Sequence, residues 1–181
     1  MACYVVLLRG INVSASTRIA MSDLREVLHG AGLDDARTHL QSGNVLLSSS
    51  KKASDVGNAV ETTIAKRLDM SVAAVVRTAD QLRAVVEADV LSDVATDGSK
   101  RFVMFLGTPH DPHEVKQMAE AVQGRSDEVV ADGREIYLWC PDGIRNSPLA
   151  KATMGKRSGP PATVRNWNTV ARLAAMLDEE A

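Results

Sequence analysis

"SDVATDGSKRFVMFLG", residues 92–107, is the stretch on which the reading of the fold turns. Its first nine residues form a polar break, a composition that ends elements and does not continue them. Arg101 then opens "RFVMFLG" (101–107), a short apolar run stopped by a glycine. A run that short and that continuous reads as a buried strand, with neither the length nor the periodicity of a helix. With a fresh strand at 101, the residues after the break can be laid against those before it.

The two orders agree. Before the break, "CYVVLLR" (3–9) reads as a buried strand, and "SDLREVLHGAG" (22–32) as a helix with Ser22 as cap and Gly30 and Gly32 as stop. "ARTHLQ" (36–41) and "NVLLSS" (44–49) read as strands joined across Ser42-Gly43. A helix over 54–70, a strand over 72–77 and a helix over 78–91 complete the first round. After the break come the strand 101–107 and a helix over 111–122, with Asp111 as cap, Pro112 in the first turn and Glu114 in a capping box. Strands 127–132 and 134–140 turn at Gly133, 143–157 is a weak helix or loop, 162–165 a short strand and 166–177 a helix. Each round is strand-helix-strand-strand-helix-strand plus one helix. The expected fold is therefore α/β (α+β), two ferredoxin-like βαββαβ subdomains related by duplication. They would span residues 1–92 and 101–181, with 93–100 as linker. The ends of the rounds also correspond. "VVRTADQLRAVV" (75–86) and "TVRNWNTVARLA" (163–174) both carry Val-Arg, and an apolar residue (Leu82, Val170) stands five positions after the arginine.

Topology brings distant residues together. In a βαββαβ unit the third strand lies beside the first, so the end of the first strand meets the hairpin between the second and third. Here those segments are "RGIN" (9–12) and "QSGN" (41–44), carrying Arg9, Asn12, Gln41, Ser42 and Asn44. One fixed positive charge, several hydrogen-bonding side chains and two glycines would suit an anion. The alternative is that Asn12 and Asn44 close Asx-turns and Arg9 caps carbonyls.

Composition narrows the function. Across 181 residues the chain is 45% hydrophobic and 24% charged, the balance of an ordinary soluble protein. Its net charge of −2 argues against wholesale nucleic-acid coating. Cys3 and Cys140 lie in separate strand-like runs with no CxxC spacing, so both read as reduced core residues. With no signal-like segment and no span of about 20 apolar residues, the expected location is cytoplasmic, with no membrane partner.

Four blocks, "YVVLLRGINV" (4–13), "IAMSDLREVL" (19–28), "RTHLQSGNVLL" (37–47) and "VRNWNTVARL" (164–173), resemble the bacterial family named domain of unknown function 1697. The resemblance implies an α/β protein of two related subdomains. It carries no catalytic residues, because the family is uncharacterised. The family loop runs Gly-Ile-Asn-Val-Gly-Gly, whereas here Asn12-Val13 is followed by Ser14-Ala15. A glycine-rich backbone cradle at 14–15 is therefore in question.

No standard catalytic motif is present. His110 and His113 form an HxxH, but the Asp111-Pro112 between them is explained by helix initiation, so no metal is expected. "MGKRS" (154–158) lacks the first glycine of a P-loop and is rejected. Ser42 has no evident base, and no cofactor is indicated. One charge feature stands out. No Asp or Glu occurs from Gly143 to Leu177, where Arg145, Lys151, Lys156, Arg157, Arg165 and Arg172 are all basic, while 80–97 is acidic. Within the basic stretch, "RNWNT" (165–169) offers Asn166 as helix cap and Asn168 in the first turn, beside Arg165. That makes a second anion site conceivable. Trp167 is expected to lay its ring against the neighbouring subdomain.

The residues thus point to a binding module for a small anionic, phosphate-bearing ligand, with Arg9, Asn12, Gln41, Ser42, Asn44, Arg165, Asn166 and Asn168 as candidate contacts. An enzyme acting on such a metabolite or nucleotide is the alternative. RNA binding ranks third, because Tyr137 and Trp139 share a strand face but the basic-aromatic RNP pattern is missing. The sequence leaves the oligomeric state open.

Overall fold

In a computed structural model the chain is described over residues 1–154 and 159–179. It is a mixed α/β protein with two four-stranded antiparallel sheets. By internal contacts it divides into two units, Met1–Arg83 with Leu173–Ala181, and Ala84–Arg172.

In the first unit, β1 (Ala2–Leu8), β2 (Arg37–His39), β3 (Asn44–Ser49) and β4 (Ala74–Thr78) form a sheet of order β2-β3-β1-β4. The helices α1 (Met21–His29) and α2 (Ala53–Leu68) lie in the two crossovers. One sheet face supplies Tyr4, Val6, Leu8, Val45 and Leu47 to a core completed by Leu24 and Leu28 of α1 and Val56, Val60 and Ile64 of α2. Within each helix those residues recur at four-residue spacing, which places them on one stripe. Burying each such side chain contributes roughly 1.5–3 kcal/mol. The other sheet face is buried as well, at Val5, Leu7, Leu46, Val75 and Arg77. Burial on both faces is why β1 and β3 read as continuous apolar runs.

In the second unit, β5 (Arg101–Leu106), β6 (Glu128–Asp132), β7 (Glu135–Trp139) and β8 (Ala162–Asn166) take the order β6-β7-β5-β8, position for position that of the first sheet. Met104, Leu106, Ile136 and Leu138 meet Met118 of α4 (Pro112–Ala121) and Leu149 of the short α5 (Leu149–Met154). Asp111 caps α4, its carboxylate accepting from the His113 N–H at 2.9 Å, and Pro112 stands in the first turn. The expected reading of Asp111-Pro112 as helix initiation holds. His110 bonds the Gly133 carbonyl and His113 bonds Gln117. Residues 143–157 hold a 3-10 turn (Ile144–Asn146) and α5, while most of "MGKRS" lies outside the described residues.

Two helices follow the sheets in chain order, α3 (Ala79–Ala88) after β4 and α6 (Trp167–Asp178) after β8. The Val-Arg pairs end up in equivalent places. Arg77 lies opposite Val5 and Arg165 opposite Val103, both buried, and each guanidinium donates to the preceding residue's carbonyl at 2.9 Å. Leu82 and Val170, five positions on, are fully buried.

The start of α1 differs from expectation. The helix begins at Met21 with Ala20 as cap, and the Ser22 hydroxyl bonds Asp23. Met21 is a core residue, and its burial starts the helix two residues earlier than a Ser22 cap would. Cys3 and Cys140 are both free thiols. Burial pushes the Cys140 thiol up to about 11, against a weaker opposing hydrogen bond from Ser147, so it stays protonated at neutral pH. No helix among the described residues is long and apolar enough to cross a membrane.

Candidate functional site

The antiparallel register sets Leu7 of β1 opposite Asn44 of β3, and the Leu8 N–H donates to the Gly43 carbonyl at 2.8 Å. The loop after β1 therefore leaves the sheet beside the hairpin turn 40–43, as the topology predicts. Ile11 and Ile19, both buried, pin the two ends of this loop to the core.

Asn12 fastens loop to hairpin. Its Nδ2 donates to the Gln41 carbonyl at 2.7 Å and to the Ile19 carbonyl at 3.1 Å, and its Oδ1 accepts from the Ile19 N–H at 2.9 Å. The residue sits at φ 56, a left-handed conformation that asparagine tolerates better than most. Asn44 is fully buried and donates to the His39 carbonyl at 2.8 Å and to Ser42 Oγ at 3.0 Å. Both amides thus bond groups around the turn, but Asn12 Oδ1 accepts the N–H of Ile19, seven residues on, which is not the Asx-turn considered for it from sequence. Asn12→Ala should lose roughly 2–3 kcal/mol in a urea titration, from an unfavourable φ and the stranded groups of Ile19 and Gln41. Asn12→Gly, which relieves the φ but not the stranded groups, should lose less.

The edge also carries half-buried Arg9, exposed Gln41 and Ser42, and a stretch of open backbone. Gly10 is exposed at φ 70. Among the described residues the N–H groups of Gly10, Ile11 and Val13 donate to no acceptor in the protein. Two apolar side chains flank the Asn12–Gln41 bond in the open. Val13 is 77% exposed, and Leu40 is 56% exposed at φ 58.

Comparison with known proteins places the chain. The model of a family described as protein of unknown function (DUF1697) matches residues 1–137. The chain belongs to that family. No curated protein matches it. Its fold is similar to that of conserved bacterial protein SP0830 from Streptococcus pneumoniae, with a TM-score of 0.75 at 19% identity over 97% of this chain and 98% of that one. The matched DUF1697 region includes the whole β1–β3 edge and ends before α6. Ser14, where this chain departs from the glycine-rich loop, has extended backbone at φ −146. No glycine is needed there, and the Ser14 N–H and hydroxyl both bond Thr17 Oγ1 at 3.1 Å.

The other predicted residues belong to the second unit of this DUF1697 chain, and the structure does not gather them into one polar surface. Asn166 caps α6, accepting from the Asn168 N–H at 3.0 Å, while its Nδ2 donates to the Ser99 carbonyl at 2.9 Å. Arg165 is 6% exposed, with its guanidinium on Thr163 Oγ1 at 2.7 Å and the Val164 carbonyl. Burial pulls its pKa down to about 10, which still leaves it charged at neutral pH. Asn168 packs so close to Gly98 that a Cβ there would fall 2.2 Å from its Oδ1. Trp167 carries the guanidinium of Arg101 of its own unit, 3.6 Å from the ring centroid, and Arg101 also pairs with Asp89. The segment reads as a fastening of β8 and α6 to residues 98–101. Of the basic residues singled out in 143–177, Lys156 and Arg157 lie outside the described residues, and Arg145 and Arg172 are exposed.

Sequence reasoning missed Leu40 and Val13. A leucine in a left-handed turn leaves no trace in composition or periodicity, and an exposed valine next to a strand looks like the strand's own end.

Proposed function

We propose that the β1–β3 edge binds a small phosphate-bearing ligand, with Arg9 and the open N–H groups of the 10–13 loop facing the phosphate. Leu40 carries this reading. A leucine at φ 58 costs roughly 1–2 kcal/mol relative to an ordinary backbone, and this one buries little in return. Strain retained together with exposure is what a binding surface shows. With Val13 it gives the edge an apolar border suited to a nucleobase or similar group, beside donors suited to its phosphate. Catalysis is not part of the proposal. RNA is disfavoured too. Tyr137 is 2% exposed and so offers no ring face to a base.

A thermal-shift series with inorganic phosphate and nucleoside monophosphates tests this. A ligand at a hundred times its dissociation constant should add about 2.7 kcal/mol, or roughly 5–10 °C at this chain length. Arg9→Ala should fold and lose that shift. A normal shift in Arg9→Ala accompanied by lower stability would make the edge structural.

We also infer that each half is a ferredoxin-like βαββαβ unit and that the chain arose by duplication. Support comes from the matching strand orders and from the equivalent Val76-Arg77 and Val164-Arg165 pairs, whose arginines are both buried. We read the protein as cytoplasmic.

A further inference from the structure

A concave groove of ≈ 450 Å³ opens on the first unit between the end of α1, the 30–36 loop, β2 and β3, apart from the residues of the β1–β3 edge. Its volume falls in the range of small-molecule sites. Arg25, His29, Asp34, Asp35 and Arg37 line it, so charges of both signs face one space.

Three of these groups are held in place by the fold. Arg25 Nη1 donates to Thr38 Oγ1 at 2.6 Å. His29 Nε2 lies 2.9 Å from the Ala36 carbonyl, which can only accept, so this nitrogen carries the proton and Nδ1 is left over. Asp35 Oδ2 accepts the Ser48 N–H at 2.6 Å, and its second oxygen remains. Thr38, Ala36 and Ser48 belong to or adjoin the hairpin strands, so the groove is built on sheet and helix.

Two opposite charges of the lining are left without an ion pair. Among the described residues neither Arg25 nor Asp34 has an ion-pair partner, although both line the same groove. A bare anion drawn to Arg25 would also face Asp34 and Asp35, and a bare amine drawn to the aspartates would face Arg25 and Arg37. A molecule carrying both charges meets neither penalty. We propose that this groove binds a small zwitterion, its phosphate or carboxylate on Arg25 and its ammonium on Asp34. The site is independent of the one proposed at the β1–β3 edge.

O-phosphoethanolamine, inorganic phosphate and ethanolamine, compared at matched ionic strength by 15N amide titration, test the assignment. Millimolar O-phosphoethanolamine should move the amides of 25–37 and Ser48, and phosphate or ethanolamine alone should move them far less. Arg25→Gln and Asp34→Asn should each weaken binding by about tenfold or more, the loss of one charge-assisted hydrogen bond. If Arg25→Gln fails to fold, Arg37→Gln changes the charge of the same lining. No perturbation of 25–37 at millimolar O-phosphoethanolamine would overturn the proposal. So would equal binding of inorganic phosphate, or unchanged affinity in Asp34→Asn.

Discussion

Gly43→Ala should lower the unfolding free energy by about 2–5 kcal/mol and the melting temperature by roughly 10 °C. Two costs coincide at this residue. Its φ of 77 is left-handed, which a non-glycine side chain meets at roughly 1–2 kcal/mol. An added Cβ would also stand 2.6 Å from Ile11 Cδ1 and 2.9 Å from Leu8 Cβ. Ile11 has rotamers to retreat into, but Leu8 Cβ is fixed to the β1 backbone. The strand or the hairpin must therefore shift, at an overpacking cost of about 1–3 kcal/mol. Gly133→Ala supplies the control. Its φ is also positive, at 54, but no atom lies within 4 Å of the added Cβ, so only the conformational cost applies. Equal losses in the two variants, measured by calorimetry, would contradict the packing described around Gly43.

The second large effect is expected at Arg101, where alanine and methionine should part company. Arg101 is 3% exposed and stacks on Trp167, and its Nε has no hydrogen-bond partner among the described residues. Truncation to alanine removes the stack and leaves a cavity, with an expected loss of about 2–4 kcal/mol. Asp89 loses its partner but is partly exposed and can be rehydrated. Methionine refills most of the volume and removes a buried charge whose desolvation the single ion pair only partly offsets. Arg101→Met should therefore fall within about 1 kcal/mol of the parent and could exceed it. Urea titrations separate the cases, and Trp167 emission should change in both. A methionine variant as damaged as the alanine one would show that the charge, and not the packing, holds this corner.

The architecture was legible because the inner strands β1, β3 and β5 are buried on both faces. A run such as "YVVLL" has one reading when every side chain must leave water, and the 92–100 break shows where the pattern restarts. Helix ends were legible where a side chain alone sets them, as at Asp111 and Asn166. They were not where the core decides, as at Met21. The edge was half legible. Strand order alone placed Arg9 and Asn12 beside 41–44, but residue type could not say which way an asparagine amide would turn. Asn12 and Asn44 turn inward to the backbone. The apolar border of Leu40 and Val13 depends on a backbone dihedral and on exposure, which a polar-residue search passes over. Arg165 shows the converse. As the last residue of its expected strand, in a basic stretch, it suggested a charge open to an anion, and strand alternation placed it on a buried face.

The most direct measurement of the central claim is a 15N amide titration of the intact chain with a nucleoside monophosphate. The amides of Gly10, Ile11, Val13, Leu40 and Ser42 should move together along one saturating curve, and inorganic phosphate should move only the 10–13 group. Saturable shifts centred on other residues, or shifts at 10–13 that grow linearly without saturation, would contradict a phosphate site at the β1–β3 edge.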